Sequence, residues 1–150
     1  MDDTALVADR FSLTINYRIA AFLDMGNPYG VKLAPYFDGP VPIGNGASYA
    51  AVDSYPRDFL CSGDVHTEEI RMRFPSTVKL LAVPHNVEVV QPDISYSARY
   101  EQHDNESRVV RTLTDNNPGP VCATLVVAQY RAIAEVVKKD MQVQAVYQPR

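Results

Sequence analysis

The amino-acid sequence predicts an antiparallel β-sandwich of seven to nine strands, with one amphipathic helix before the last strand. Its 19 valines and nine tyrosines are residue types that strands favour. Several segments alternate apolar and polar residues, which is typical of strands with one buried face. Only one segment has helical spacing, so the regular alternation of strands and helices that a doubly wound parallel sheet requires is missing.

The most regular alternation in the first half lies in residues 11–19. The apolar residues of this segment are Phe11, Leu13, Ile15, Tyr17 and Ile19, and the residues between them are Ser12, Thr14, Asn16 and Arg18. Because successive side chains of a strand point to opposite faces, this period of two predicts a half-buried strand.

Residues 24–55 form a segment rich in proline and glycine. Prolines lack the backbone donor that a sheet ladder uses, and glycines favour turns, so long central strands are excluded there. Short edge strands can still form near residues 31–37 and 47–52. A loop-rich stretch of this length inside one domain is typically functional or held by a partner.

The second half contains five further strand patterns. They cover residues 66–74, 78–83, 87–90, 94–101 and 108–114. In the first of these segments, Ile70, Met72 and Phe74 are predicted to point inward. Asp104 and Asn105 lie between the last two segments and predict a hairpin turn. Connections this short imply antiparallel pairing.

A helical pattern follows the cluster of helix-breaking residues at 116–120. Five apolar residues recur at helical intervals, namely Val126, Tyr130, Ile133, Val137 and Met141. This spacing places them on one helix face. Residues 143–147 then alternate as the last strand. The alternative fold is a curved sheet wrapped around the helix with a ligand cavity between them, but a single helix favours the sandwich.

Length and charge limit the function classes. A chain of 150 residues has the length of one domain, so we expect residues 1–150 to form a single domain. The formal net charge of −4 and the absence of a basic block disfavour a nucleic-acid partner. No apolar run approaches the roughly 18 residues of a membrane span, so no membrane insertion is expected. Residues 1–4 are acidic where a secretory signal would be basic, so we expect no signal peptide in this chain.

The chain has two cysteines, Cys61 and Cys122, which permit one disulfide in an oxidising compartment. Neither belongs to a C-x-x-C pair, so a redox motif and a zinc ribbon are not indicated. We expect two free thiols. Cys61, Asp64 and His66 supply the residue types of a cysteine hydrolase. Residues 64 and 66 of a strand share a face that residue 61 does not, so a small cysteine hydrolase remains only an alternative.

The sequence gives little support for a metal site or for a catalytic pair of carboxylates. His66, His85 and His103 lie in separate predicted turns or strand starts and lack the close spacing of metal-binding histidines. We therefore expect solvated histidines and no metal or other cofactor. Glu68 and Glu69 are adjacent in a predicted strand and point to opposite faces, so we expect ordinary strand charges rather than a catalytic pair.

The candidate ligand- or partner-binding residues are four tyrosines of the proline-rich segment. They are Tyr29, Tyr36, Tyr49 and Tyr55. Exposed aromatic side chains on loops bind sugars or partner proteins. The simpler hypothesis is that these rings cover the edge of the sandwich.

The order of segments in the second half resembles a known family. Residues 66–75 resemble an acidic, alternating strand that is closed by Phe-Pro, and residues 78–84 resemble the following segment, here closed by Val-Pro. Residues 94–100 resemble the Ser-Tyr-Ser strand of that family. Together with the basic strand, the helix and the closing strand that follow, they are similar to the C-terminal β-sandwich domain of bacterial transglutaminase-like, papain-like proteins.

This resemblance implies a non-catalytic accessory domain at the end of a longer, exported protein. It implies a periplasmic or extracellular location, and it makes the upstream transglutaminase-like domain of the same parent chain the expected partner. An envelope protein or a glycan is a further candidate partner. The catalytic Cys, His and Asp of such proteins would lie upstream, so no catalytic residue is expected here. A carbohydrate- or small-ligand-binding β module is the alternative function.

Overall fold

A computed structural model describes residues 29–33, 43, 57–61 and 63–150, and the structural statements below refer to them. Nine strands lie in this part of the chain: β1 (Tyr29–Lys32), β2 (Phe59–Leu60), β3 (Asp64–Arg73), β4 (Val78–Ala82), β5 (Val87–Val90), β6 (Ile94–His103), β7 (Glu106–Asp115), β8 (Val121–Cys122) and β9 (Gln144–Pro149). A short 3₁₀ helix (Thr124–Val126) leads into helix α1 (Val127–Asp140), which precedes the last strand. The predicted fold class is confirmed.

The largest sheet has four antiparallel strands in the order β3-β7-β6-β5. Strands β6 and β7 form a hairpin whose turn is Asp104 and Asn105, as predicted. Asp104 has a positive φ of 51°, a conformation that aspartate tolerates better than most residues. Side chains alternate in burial along β6, so Tyr96 and Ala98 are buried while Arg99 is exposed.

A second sheet has three antiparallel strands in the order β1-β9-β4. Strand β1 begins at Tyr29, slightly before the short edge strand predicted near residues 31–37, and its Gly30 lies opposite Val146. The register between β4 and β9 shifts between Leu80 and Ala82. Burial alternates regularly from Val78 to Leu81, and the irregularity interrupts this alternation at Ala82, which is exposed like Leu81.

One buried cluster joins both sheets and the helix. It includes Val31 and Tyr147 of the three-stranded sheet, together with Tyr96 and Val109 of the four-stranded sheet. The predicted helix face is confirmed, because Val126, Tyr130, Ile133 and Val137 are buried and Met141 is partly buried. The helix face therefore fills a core that the two sheets share, which supports the sandwich over a sheet that wraps around a cavity.

The chain crosses from one sheet to the other at a corner stabilised by Asn105. The Asn105 Oδ1 atom accepts a hydrogen bond of 2.8 Å from the Leu80 backbone N–H. Its Nδ2 group donates to the carbonyl oxygens of Phe74, Pro75 and Val78 at distances of 2.9–3.1 Å. The turn of the β6–β7 hairpin therefore satisfies backbone groups in the connection from β3 to β4.

Part of the sequence-based interpretation lies outside the described residues. The predicted strand at residues 11–19, the candidate strand at 47–52 and most of the proline-rich segment at 24–55 belong to this part. In the described part of the chain, no helix is both long and apolar enough to cross a membrane.

Candidate functional site

Of the four candidate tyrosines, Tyr29 is the one whose position is described. Its side chain is 51% exposed, and the residue starts β1 opposite Tyr147. Tyr147 is buried, so the two aromatic residues of this pair differ in their access to solvent. Tyr36, Tyr49 and Tyr55 lie outside the described residues, and their role in binding stays a prediction.

Cys61 and Cys122 form a disulfide, so the expectation of two free thiols is wrong. Their Cα atoms are 5.7 Å apart, a separation typical of disulfides. Two short strands bring them together: β2 pairs with β8, and Phe59 lies opposite Cys122. The Cys61 backbone N–H also donates to the Pro120 carbonyl oxygen at 3.0 Å. This pairing joins segments 61 residues apart, which local sequence patterns do not reveal.

The disulfide removes the nucleophile from the candidate catalytic cluster of Cys61, Asp64 and His66. With its sulfur bonded to Cys122, Cys61 has no thiol that could act as a nucleophile. Asp64 and His66 lie two residues apart on β3, with Nε2 and Oδ2 separated by 3.8 Å. This distance is too long for a hydrogen bond, so the geometry here is that of two neighbouring polar side chains on one strand.

The described histidines and carboxylates do not assemble a metal site. No group of three or more potential ligands among the described residues is arranged to hold a metal ion. Glu68 and Glu69 point to opposite faces of β3, as predicted: Glu68 bonds to the buried Arg111, and Glu69 bonds to the partly exposed Arg108.

Three exposed aliphatic residues lie within three positions of a disulfide cysteine in the sequence, namely Leu60, Val121 and Leu125, and we call them the aliphatic patch. Their side chains are 80%, 57% and 76% exposed, respectively. Leu60 and Val121 are opposed in the β2–β8 ladder, so they project to the same side. Phe59 and Cys122 are the next opposed pair and face the protein, where the Phe59 ring packs edge-on against Tyr130 at 6.0 Å. The ladder therefore holds Leu60 and Val121 in a defined position.

The connection from β7 to β8 lies against the same disulfide. Asp115 accepts hydrogen bonds from the backbone N–H and the side-chain amide of Asn117, at 2.9 Å and 2.6 Å, and from the hydroxyl of Tyr130. Gly63 packs so closely that a Cβ atom there would lie 2.4 Å from the Asn117 carbonyl oxygen. Residues 61, 63 and 115–120 line an open depression of about 540 Å³. Two of its polar side chains, those of Asp115 and Asn117, bond to each other.

Arg111 of β7 is fully buried, which requires compensation of its charge. The Nε and Nη1 atoms donate to Asp140 and Glu68, each at 2.7 Å. The Nη2 atom donates to the Leu33 carbonyl oxygen at 2.5 Å and to the Tyr100 hydroxyl at 3.0 Å. This single guanidinium therefore connects β3, β6, β7, the helix and the residue that follows β1.

Asp140 is the last residue of α1 and is only 2% exposed. A carboxylate at a helix C-terminus meets the negative end of the helix dipole, so the position is unfavourable without a cation. Arg111 supplies that cation. Two tyrosine hydroxyls also donate to the carboxylate, from Tyr96 at 2.7 Å and from Tyr100 at 2.8 Å.

The tyrosines of this network keep their protons. Burial, and then the hydrogen bond to Asp140, raises the pKa of Tyr96 and of Tyr100 above the ordinary value. Burial alone would lower the pKa of Arg111, but the opposing effects, of which the hydrogen bond to Asp140 is the largest, outweigh burial and raise it. The network therefore contains one cation, the Arg111 guanidinium, and two hydroxyl donors, those of Tyr96 and Tyr100. These buried groups bond to one another or to Asp140. This geometry indicates a role in holding the elements together.

The outer face of the four-stranded sheet carries a second, solvent-exposed charge cluster. Arg108 donates to Glu69 and to Glu101, with 2.8 Å contacts to each, and Arg71 contacts Glu69 from the same strand. These arginines, Arg108 first, lower the pKa of Glu69 to about 2. Arg108 also lowers the pKa of Glu101.

The sequence contained a partial signal for the buried network. Arg111 lies between Val109 and Leu113 in the alternation of β7, which places an arginine on the apolar face of that strand. Its partner Asp140 is 29 residues further along the chain, and no local periodicity connects the two residues. The pattern alone therefore indicates an unusual arginine and leaves its counterion unidentified.

No protein-family model matches the sequence, and neither a curated protein nor a solved structure is significantly similar to it.

Proposed function

We propose that this chain is a non-catalytic β module that binds and orients the upstream transglutaminase-like domain of a longer, exported protein. The observation that carries the interaction role is the aliphatic patch of Leu60, Val121 and Leu125. Leu60 and Val121 lie directly opposite each other in the β2–β8 ladder and are each more than half exposed, which is typical of a surface that a partner covers. The partner's identity rests on the family resemblance in the second half of the chain.

The position of the patch suits a docking surface. Its two strand residues are fixed by a ladder whose strands are cross-linked by the Cys61–Cys122 disulfide. A surface that is ordered before binding loses less conformational entropy when the partner docks. Leu60 and Val121 would then supply aliphatic contacts that the partner shields from water.

The disulfide also supports the proposed location. Disulfides persist in oxidising compartments such as the periplasm and the extracellular space, whereas cytosolic thiols are usually kept reduced. The same bond counts against the small cysteine hydrolase, because it removes the thiol of Cys61. A periplasmic or extracellular module therefore fits the cysteine chemistry better than a thiol enzyme.

The first experiment is to sequence the source locus upstream of the codon for Met1. An in-frame extension that encodes a signal peptide and a papain-like arrangement of Cys, His and Asp supports the proposal. A stop codon close upstream contradicts it, because the same parent chain would then contain no partner domain.

The second experiment measures binding between this chain and the separately expressed upstream domain by calorimetry. We expect Leu60→Asp to weaken the affinity by at least about tenfold, because a charge would replace a buried aliphatic contact. Val90→Asp is the matched control, since Val90 is a 67% exposed aliphatic residue on a different sheet. Equal affinities of the wild-type chain and the Leu60→Asp variant would exclude the patch as the docking surface.

A further inference from the structure

Strand β3 has one ladder neighbour among the described strands, namely β7, and therefore forms an edge of the described four-stranded sheet. It is 10 residues long, and all 10 of its residues are paired with β7. An edge strand presents backbone N–H and C=O groups that can pair with a further strand. Such an edge is a template for adding a strand from another chain.

The inner side of β3 is covered less completely than the centre of its sheet. Ile70 lies opposite Val109, and Val109 lies opposite Tyr100 in the next strand, so the three residues form one row across the sheet. Val109 and Tyr100 are buried, whereas Ile70 is only partly buried. Met72, two residues further along β3, is also partly buried. A strand added beside β3 would extend this apolar row.

The charges of β3 are arranged so that the strand is complementary to itself. Glu69 and Arg71 flank Ile70 and project to the outer face. In an antiparallel pair, opposed residues point to the same face of the sheet. A two-fold axis that relates two copies of β3 must therefore lie level with one residue, so that this residue opposes its own equivalent. An axis through Ile70 places Glu69 of each copy opposite Arg71 of the other, and Ile70 opposite its own equivalent.

Neighbouring registers oppose like charges. An axis through Glu69 would oppose Glu69 to its own equivalent. An axis through Arg71 would place Glu69 opposite Arg73 of the other copy, but it would also oppose the two copies of Arg71 directly. An axis through Glu68 would oppose two buried-face carboxylates. Directly opposed like charges destabilise a strand pair, whereas opposite charges stabilise it. Among these registers, the one centred on Ile70 has opposite-charge pairs without a like-charge pair, and electrostatics therefore favours it.

We propose that two copies of this chain associate edge to edge through β3, antiparallel about a two-fold axis at Ile70, and thereby join their four-stranded sheets into one. The interface combines backbone hydrogen bonds, the apposed Ile70 side chains and two symmetric Glu69–Arg71 pairs. Glu68 is opposite Met72 in this register, and its carboxylate is already neutralised by Arg111 of its own copy. The association is distinct from docking through the aliphatic patch, which lies on the β2–β8 ladder.

Charge reversal tests the interface and its register together. The molar mass of the full 150-residue chain is measured by sedimentation equilibrium from about 1 µM to about 1 mM. We expect the wild type to form dimers within this range. Glu69→Arg and Arg71→Glu each oppose like charges twice, so each variant alone should have a dissociation constant at least about tenfold higher.

The two variants are complementary to each other. An equimolar mixture of Glu69→Arg and Arg71→Glu places opposite charges across both positions and should form heterodimers with affinity near that of the wild type. The chain that carries both substitutions should recover self-association. Arg99→Glu is the matched control, because Arg99 is an exposed arginine on the same outer face but on β6, away from the edge. This control should dimerise like the wild type.

Two results would overturn the proposal. One is a wild-type chain that stays monomeric up to about 1 mM. The other is a dimer whose affinity the single reversals leave unchanged, since its contacts would then lie elsewhere. Neither result depends on an upstream domain, so failure here and failure of the proposed docking function are distinguishable.

Discussion

Arg111 and Asp140 form an ion pair in which both side chains are shielded from solvent, with Nε and Oδ2 separated by 2.7 Å. The pair joins the central strand β7 to the last residue of the helix. Transfer of two charges from water into a protein interior costs several kcal/mol per ion, so this arrangement depends on its hydrogen bonds to be favourable. The tyrosines at positions 96 and 100 and the carboxylate of Glu68 provide those bonds.

Removal of Arg111 alone should strongly destabilise the fold. We expect Arg111→Met to lower the free energy of unfolding by about 3–5 kcal/mol, because it leaves the Asp140 carboxylate buried without its cation. The double variant Arg111→Met/Asp140→Leu should be more stable than Arg111→Met. Urea unfolding measures both. Arg99→Met, which removes an exposed ion pair with Glu88, is the control and should change stability by less than about 1 kcal/mol. An equal effect of Arg99→Met and Arg111→Met would contradict the structural role.

The disulfide should make a large contribution to stability. Cys61 and Cys122 are 61 residues apart, and the chain-entropy model gives a stabilisation of about 4 kcal/mol for a loop of this length. We expect the Cys61→Ala/Cys122→Ala variant to unfold at lower urea concentration by a corresponding amount. Reductant should shift the wild type to the same midpoint and leave the variant unchanged. A wild-type midpoint that reductant does not move would show that the bond is absent in solution.

Gly63 should not tolerate a side chain. A Cβ atom there would approach two backbone carbonyl oxygens, those of Asn117 and Asp115, at 2.4 Å and 2.9 Å. We expect Gly63→Ala to destabilise the protein by about 1–3 kcal/mol, since the β7–β8 connection must move. Gly30→Ala is the control, because its nearest neighbour is the end of the flexible Gln144 side chain. If thermal unfolding shows equal losses for the two variants, the close packing at Gly63 is not the cause.

The charge cluster on the outer face should contribute to stability in a pH-dependent way. The pKa of Glu69 is lowered from 4.5 to about 2 in the folded protein, chiefly by Arg108 and then by Arg71. A lowered folded-state pKa stabilises the protein above the unfolded value, and this contribution is lost as the pH falls from 4.5 towards 2. The melting temperature of wild type should therefore exceed that of Glu69→Gln at neutral pH, and the gap should close over this acidic range. A gap that stays constant with pH would be inconsistent with this ion pair.

Local patterns predicted the regular elements of this fold. Strand β5 has the predicted bounds, residues 87–90. The helical spacing of the apolar residues from Val126 to Val137 identified the buried face of the helix. These features were predictable because burial repeats with the period of a strand or a helix. The β2–β8 ladder was not predictable, because a strand of two residues is too short to show an alternation of buried and exposed side chains.

The predictions for the candidate site were less complete for a related reason. The disulfide and the pairing of Arg111 with Asp140 both join distant segments, and their geometry depends on the assembled fold. Arg111 shares the core face of β7 with Val109 and Leu113, but this alternation does not identify its counterion. Tyr36, Tyr49 and Tyr55 lie outside the described part of the chain, so their role in ligand or partner binding stays a prediction.

The amide of Asn105 has a consequence for the order of folding during synthesis. This amide bonds to Phe74, Pro75, Val78 and Leu80, all of which leave the ribosome at least 25 residues earlier. A nascent chain that has emerged only to His103 therefore contains β4 but lacks the group that completes its corner. Chains are synthesised from the N-terminus, so the corner forms its native hydrogen bonds only after the β6–β7 turn has emerged. The corner between the two sheets is therefore completed only when residues 74–105 are all available to fold.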